Sequence, residues 1–189
     1  MIRIALVGDI GSGKTFISRL FRYPVFNADE SVAKIYLKNK KVFYKLKKEL
    51  PEFFTKFPVK KNELIKSIIK NKDNIKKIST IVHPEVRKDL QKFTKKNIKK
   101  KVIILDIPLY LENRLNKKKD VVIFIQSSRK EVLKRIKKRK NYNKLVLQRL
   151  KKLQLPLKRK KKKSHYVIKN NFDENFARKK VQNILDKIL

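Results

Sequence analysis

The segment Ile4-Ala5-Leu6-Val7-Gly8-Asp9-Ile10-Gly11-Ser12-Gly13-Lys14-Thr15 couples an apolar run to a glycine-rich turn. From Gly8 onward it matches the phosphate-binding loop pattern G-x-x-x-x-G-K-[ST] at every fixed position. Glycine tolerates the backbone angles of so tight a turn, and consecutive N–H groups can then face inward as a nest for anionic oxygens. A helix starting near Lys14 adds the positive end of its dipole. In such a cradle Lys14 reaches the β- and γ-phosphates, and the Thr15 hydroxyl becomes one ligand of a Mg²⁺ that also bridges phosphate oxygens. A turn that only joined a strand to a helix would need neither the lysine nor the hydroxyl, so nucleotide binding is the first expectation.

Four further apolar runs, Pro24–Phe26, Val102–Leu105, Val121–Ile125 and Tyr166–Ile168, resemble Ile2–Val7 in being mostly unalternated and β-branched. Such strands are buried on both faces, and helical segments between them predict a parallel sheet in an α/β layered fold. Ligands of these sheets gather at the carboxyl ends of the strands, where Gly8, Asp29, Asp106 and the segment after Ile125 fall. The chain of 189 residues suits a single domain with its core in residues 1–30, 100–128 and 164–189.

Two helical insertions interrupt that core, 31–99 and 129–163. The first carries helical apolar spacing at Leu64, Ile65, Ile68 and Ile69, with Pro51 and Pro58 as breaks. The second has Val132, Leu133 and Ile136 on one face, a break near Asn141-Tyr142-Asn143, a helix over Leu145–Leu153, and a basic run Lys158–Lys163 expected to be solvated and mobile. A last helix, Glu174–Leu189, is expected to bury Phe176, Val181, Ile184, Leu185 and Ile188.

Composition narrows the function classes. With no cysteine, disulfide frameworks, thiolate metal sites and cysteine nucleophiles are excluded. The opening residues enter a strand directly and no apolar stretch reaches transmembrane length, so a soluble cytoplasmic protein without a membrane partner is expected. A net charge of +38 invites a nucleic-acid reading, yet the excess is mostly Lys spread from Lys34 to Lys187, with no aromatic-plus-basic motif beside it. No specific nucleic-acid partner is therefore expected, although anionic ligands are attracted in a salt-dependent way.

Asp29 ends Phe26-Asn27-Ala28-Asp29. A carboxylate there either accepts or orients an acceptor hydroxyl for attack on a γ-phosphorus, or caps the following helix. Asp106 closes Val102–Leu105 as an acid closes a Walker B strand, and serves either the Mg²⁺ shell or the turn before Pro108. Arg135 and Arg139 stand on one predicted helix face, either as a phosphate-covering flap or as a solvated basic surface. His83 precedes Pro84, which suits a first helical position; a histidine there is a cap or packing residue more often than a catalyst. His165 has no orienting acid nearby in sequence.

Together these segments resemble the dephospho-CoA kinase family over most of the chain and in the same order. The resemblance is carried by the loop Gly8–Thr15, Asn27-Ala28-Asp29, Val82-His83-Pro84, Asp106-Ile107-Pro108-Leu109-Tyr110-Leu111-Glu112, Arg135 with Arg139, Gln154-Leu155-Pro156 with Lys160, and Tyr166-Val167-Ile168-Lys169-Asn170. It implies a P-loop NTPase fold with a five-stranded parallel sheet, a helical substrate-binding insertion at 31–99 and a helical lid at 129–163. It implies transfer of the ATP γ-phosphoryl to the ribose 3′-hydroxyl of dephospho-CoA, the last step of CoA synthesis, with Mg²⁺. Asp29, Lys14 and Arg135 are then catalytic candidates. Gly11, Ser12, Gly13, Lys14, Thr15, Phe16, Arg139 and Asn170 are ATP-binding candidates, with Asn170 bordering the adenine. Asp29, His83, Pro108 and Glu112 are acceptor-binding candidates, and Thr15 and Asp106 hold the metal. The chain is expected to act as a monomer or weak homo-oligomer.

Four positions depart from the family pattern. Asp9 stands where the family usually has Gly, Asn27 replaces the first acid of Asp-Ala-Asp, and Ser164-His165 replaces Ala-Asp. Asn27 can still hydrogen-bond but cannot take up a proton. Another small-molecule kinase is the nearest alternative, followed by a basic nucleic-acid-binding protein. A GTPase fits less well, because no N-K-x-D element follows a strand.

Overall fold

A computed structural model describes residues 1–140 and 142–189, so Asn141 of the expected break lies outside the described residues. In chain order the elements are β1 (Ile2–Gly8), α1 (Lys14–Leu20), β2 (Val25–Asn27), α2 (Ala28–Lys38), α3 (Lys40–Glu49), α4 (Lys61–Lys70), α5 (Asn74–Lys96) and β3 (Val102–Asp106). They continue with β4 (Val121–Gln126), α6 (Arg129–Lys137), α7 (Lys144–Lys152), α8 (Leu157–Lys162), β5 (Tyr166–Lys169) and α9 (Glu174–Ile188).

All strand pairs are parallel, in the order β2-β3-β1-β4-β5. The five apolar runs are these five strands. Residues on both faces of the central strands are buried: Ile4 and Leu6 alternate with Ala5 and Val7, and Val102 to Leu105 are all inaccessible. That is why these strands read as unbroken apolar runs. The registers Gly8↔Ile125, Asn27↔Asp106 and Gln126↔Lys169 align the strands' carboxyl ends, and every loop leaving that edge starts at a similar height.

The chain divides into two compact units. The sheet unit comprises Met1–Asn27, Asn97–Tyr142 and Lys151–Leu189. One of its cores joins Ile4, Leu6, Ile104 and Ile123 of the sheet to Ile17 and Phe21 of the α1 segment and to Ala177, Val181 and Ile184 of α9. The helical unit comprises Ala28–Lys96 and Asn143–Leu150. Its core is built from Ile35, Val42, Phe43, Leu46, Phe54, Ile78 and Val82, with Phe43 and Phe57 meeting edge to face at 5.8 Å between ring centroids. Ser31 Oγ donates to Asp89 Oδ2 at 2.7 Å, and Arg149 of α7 donates to the Ile68 carbonyl of α4.

Four local expectations differ from the structure. Pro84 lies inside α5 rather than opening it; one intrahelical hydrogen bond is lost there, but Ile78 and Val82 anchor the turns before it in the core. In α9 the buried stripe runs through Ala177, Val181, Ile184 and Leu185, whereas Phe176 is exposed because it lies about 100° from that stripe. The helix α6 stops at Lys137, so Arg139 lies beyond the cap at Lys138 and does not share a helix face with Arg135. The run Lys158–Lys163 is not solvated throughout, since Lys160 is 3% exposed. Among the described residues, no helix is long and apolar enough to cross a membrane.

Candidate active site

The loop from Gly8 to Gly13 leaves β1 and enters α1. Gly13 caps α1 at φ 90°, and a Cβ there would come 2.4 Å from the Asn170 amide nitrogen. Gly11, at φ 83°, passes so close to α6 that a Cβ would meet Ile136 Cγ1 at 2.7 Å. Both positions therefore require glycine for backbone angle and for space.

Side chains from three directions hold the loop. Ser12 is buried, and its carbonyl accepts from Asn170 Nδ2 at 2.9 Å and from Ser127 Oγ at 2.8 Å. Asn170 also accepts the Phe172 N–H at 3.0 Å, so its amide is engaged at both ends in supporting backbone. The Asp9 carbonyl accepts from Ser12 N at 3.2 Å and from Lys14 Nζ at 2.9 Å, which folds the lysine back across the loop. The Asp9 carboxylate accepts the Ile10 N–H at 2.7 Å and lies 3.6 Å from Lys151 Nζ. The negative charge introduced at this departure from the family pattern is thus matched by a cation.

Thr15 and Asp106 meet although 91 residues separate them: Thr15 Oγ1 donates to Asp106 Oδ2 at 2.5 Å, and Asn27 Nδ2 donates to the same oxygen at 3.1 Å. Asp106 is 4% exposed, so these contacts hold a carboxylate removed from bulk water. Hydroxyl and carboxylate oxygens suit a hard divalent cation. Among the described residues, no group of three or more His, Cys, Asp or Glu could hold a metal ion.

The remaining candidates fall in varied settings. Phe16 lies in α1 and packs against the sheet unit's core, which leaves its backbone rather than its ring for a phosphate. Arg135 places its guanidinium 4.2 Å above the Phe172 ring, beside the loop that carries Asn170. Arg139 is exposed and bonds through its N–H to the Ile136 carbonyl at 3.1 Å. Pro108 is exposed just after β3. In the helical unit, Asp29 is exposed in the first turn of α2. Its carboxylate there favours the positive end of the helix dipole without being the residue before the helix. His83 lies in α5, and burial, then the nearby Arg87 charge, lower its pKa from the ordinary 6.5.

Two further elements of the resemblance, the one ending in Glu112 and Gln154-Leu155-Pro156 with Lys160, meet near the loop. Lys160 Nζ pairs with Glu112 Oε1 at 2.9 Å and donates to Gln154 Oε1 at 3.1 Å. The same Glu112 oxygen accepts the Leu155 N–H at 2.9 Å. The Tyr110 hydroxyl donates to Asp120, while Arg3 Nε lies 3.0 Å from Asp120 Oδ1. Burial, followed by the Asp120 hydrogen bond and charge, raises the Tyr110 pKa. This cluster fixes the connection between β3 and β4 from which Glu112 projects. Asp9 stands out in the sequence, but nothing local in it points to Lys151 as its partner; for Lys160, only the family resemblance singles it out from the basic run.

A sequence profile described as dephospho-CoA kinase matches residues 2–175. A dephospho-CoA kinase of Wolbachia sp. subsp. Brugia malayi (strain TRS) is 30% identical over 190 residues, covering 98% of this chain and 97% of the relative. Among solved structures, Thermus thermophilus TT1252 superposes with a TM-score of 0.79 at 23% identity, covering 100% of this chain and 98% of that one. The dephospho-CoA kinase of Campylobacter jejuni gives a TM-score of 0.63 at 23% identity, covering 98% and 96%. The two structural likenesses establish shared architecture; the profile and the Wolbachia relative carry the sequence relationship.

Proposed function

Because the chain belongs to the dephospho-CoA kinase family, an ATP-dependent phosphotransferase family, we propose how its own residues divide the transfer of the ATP γ-phosphoryl to the ribose 3′-hydroxyl of dephospho-CoA. The amides from Gly11 to Phe16 and the Lys14 ammonium receive the triphosphate, with Ser12 held in place by Asn170 and Ser127. Thr15 and Asp106 would hold Mg²⁺, which would offset phosphate charge when bound. Asp29 takes the proton of the acceptor hydroxyl as that oxygen bonds to the γ-phosphorus. The bond from that phosphorus to the β–γ bridging oxygen breaks, and ADP leaves.

Residues 31–99 form the acceptor-binding region in this proposal, with His83 and Pro108 as candidate acceptor contacts. Residues 129–163 form the lid. Arg135 and Arg139 supply positive charge to the transferring group as water is excluded. A neutral His83 suits an acceptor contact, since an uncharged imidazole both donates and accepts. A cytoplasmic location, where ATP is abundant, belongs to the same proposal.

The Thr15–Asp106 contact at the foot of a complete phosphate loop is the observation that carries this reading. Its test is an acceptor panel with ATP and Mg²⁺, followed by ADP release and by identification of the phosphorylated product. Dephospho-CoA should be converted to CoA, while nucleosides and nucleoside monophosphates should be inert. Turnover of a nucleoside without turnover of dephospho-CoA would replace this acceptor with another on the same scaffold.

A further inference from the structure

The basic run Lys158–Lys163 contains one lysine that does not behave as surface charge. Lys160 is 3% exposed, and its ammonium has three acceptors: Glu112 Oε1 at 2.9 Å, Gln154 Oε1 at 3.1 Å and, more weakly, the Gly8 carbonyl at 3.4 Å. A lysine has three N–H donors, so this set can use all of them. Gly8 is the first residue of the phosphate loop. Glu112, in turn, is bound by both Lys160 Nζ and the Leu155 N–H.

Gly8, Lys14, Glu112, Gln154 and Lys160 also line one cavity of about 10 Å³, close to the space of a single water. Glu112 and the lysine that must meet the triphosphate thus border the same small cavity. Water screens poorly there, and an uncompensated carboxylate would compete with phosphate for Lys14 while repelling the incoming polyanion. The pairing with Lys160 removes that charge from the contest.

We propose that Lys160 is a positioning residue for ATP: its buried ammonium neutralises Glu112 and holds the Gly8 peptide, so that Glu112 does not compete with an incoming phosphate for Lys14. This deepens the assignment of the loop as the ATP site and rests on it. It also makes Glu112 a support of the loop and of the Gln154-Leu155-Pro156 segment rather than an acceptor contact.

The test measures binding of a non-hydrolysable ATP analogue by calorimetry without acceptor, so its outcome is independent of which alcohol is phosphorylated. Lys160→Met should weaken binding by about tenfold or more, because it strands a buried anion beside Lys14. Adding Glu112→Gln to that variant should restore binding to within about threefold of the unaltered protein, a rescue that lost packing alone would not produce. Glu112→Gln by itself keeps an acceptor for the Leu155 N–H and leaves the Lys160 ammonium facing the triphosphate, so the analogue should bind at least as tightly as to the unaltered protein. Unaltered binding in Lys160→Met, or no rescue in the double variant, overturns the proposal. If Lys160→Met does not fold, Glu112→Gln decides: retained or tighter nucleotide binding supports the assignment, and a tenfold loss overturns it. Failure of the acceptor panel with this binding pattern intact would count against the acceptor alone.

Discussion

Asp106 and Asp29 are the two carboxylates assigned to phosphoryl transfer, and they occupy opposite kinds of surroundings. Asp106 ends a central strand of the sheet unit, is 4% exposed, and accepts from Thr15 and Asn27. Asp29 is exposed in the first helical turn of the other unit. A buried carboxylate is shielded from water and held by fixed donors, whereas an exposed one remains in contact with solvent. In the proposed mechanism, ATP handling falls to the sheet unit and acceptor activation to the helical unit. Variants in the two units should therefore fail in different ways.

The largest expected effect is on the sheet side. Lys14→Ala should reduce kcat/KM by roughly 10³-fold through loss of a cation on the transferring group. Binding of ATP and its slow hydrolysis by water should both suffer, since neither needs the acceptor. Turnover close to that of the unaltered protein in a coupled ADP assay would break the assignment of the sheet edge to ATP.

Asp29→Asn should produce the next largest change, a loss of roughly 10² in kcat with the acceptor saturating. Its signature is a split: transfer to dephospho-CoA falls while affinity for the ATP analogue remains within about twofold, a difference of well under 1.4 kcal/mol. Equal losses in both would place Asp29 functionally with the phosphate loop and erase the contrast. Near-normal transfer would leave it only a favourable charge in the first turn of α2.

The same contrast explains what the sequence made legible. The sheet and phosphate loop were readable because their instructions are local: β-branched runs for buried strands, and Gly8–Thr15 for the turn and anion nest. Asp106 at a strand end was visible, but its contact with Thr15 spans 91 residues and came from the order of the strands. Lys160 shows the limit most clearly. A lysine among lysines reads as solvated, and only folding brings it to Glu112. Phe176 illustrates the reverse error, a large apolar residue placed inside although the helical stripe selects Ala177. Local rules favour Pro84 as a helix start, but the surrounding helix continues through it.

A smaller perturbation asks whether the two units are separate in stability as well as in role. Asn39 caps α3 of the helical unit, its side chain accepting the Val42 N–H at 3.1 Å. Asp173 caps α9 of the sheet unit, accepting the Phe176 N–H at 2.7 Å. Replacing either with Ala should cost about 1 kcal/mol. By native-state hydrogen exchange, Asn39→Ala should speed exchange in α3 and α5 while sparing α9, and Asp173→Ala should do the opposite. Equal acceleration everywhere in both variants would mean that the units open as one.

The smallest expected effect is a pH dependence located in the helical unit. Burial, and secondarily Arg87, hold the His83 pKa below 6.5, so near and just below that pH the unfolded chain binds more protons at this residue than the folded one. Its contribution to stability is thus fully present above 6.5 and declines as pH falls toward the depressed folded pKa. Urea midpoints measured between pH 7.5 and 5.5, conditions chosen to span about one unit on either side, should fall toward acid and do so less steeply in His83→Gln. Parallel profiles would show that His83 ionises alike in both states, and would remove the reason to regard its imidazole as held neutral for an acceptor.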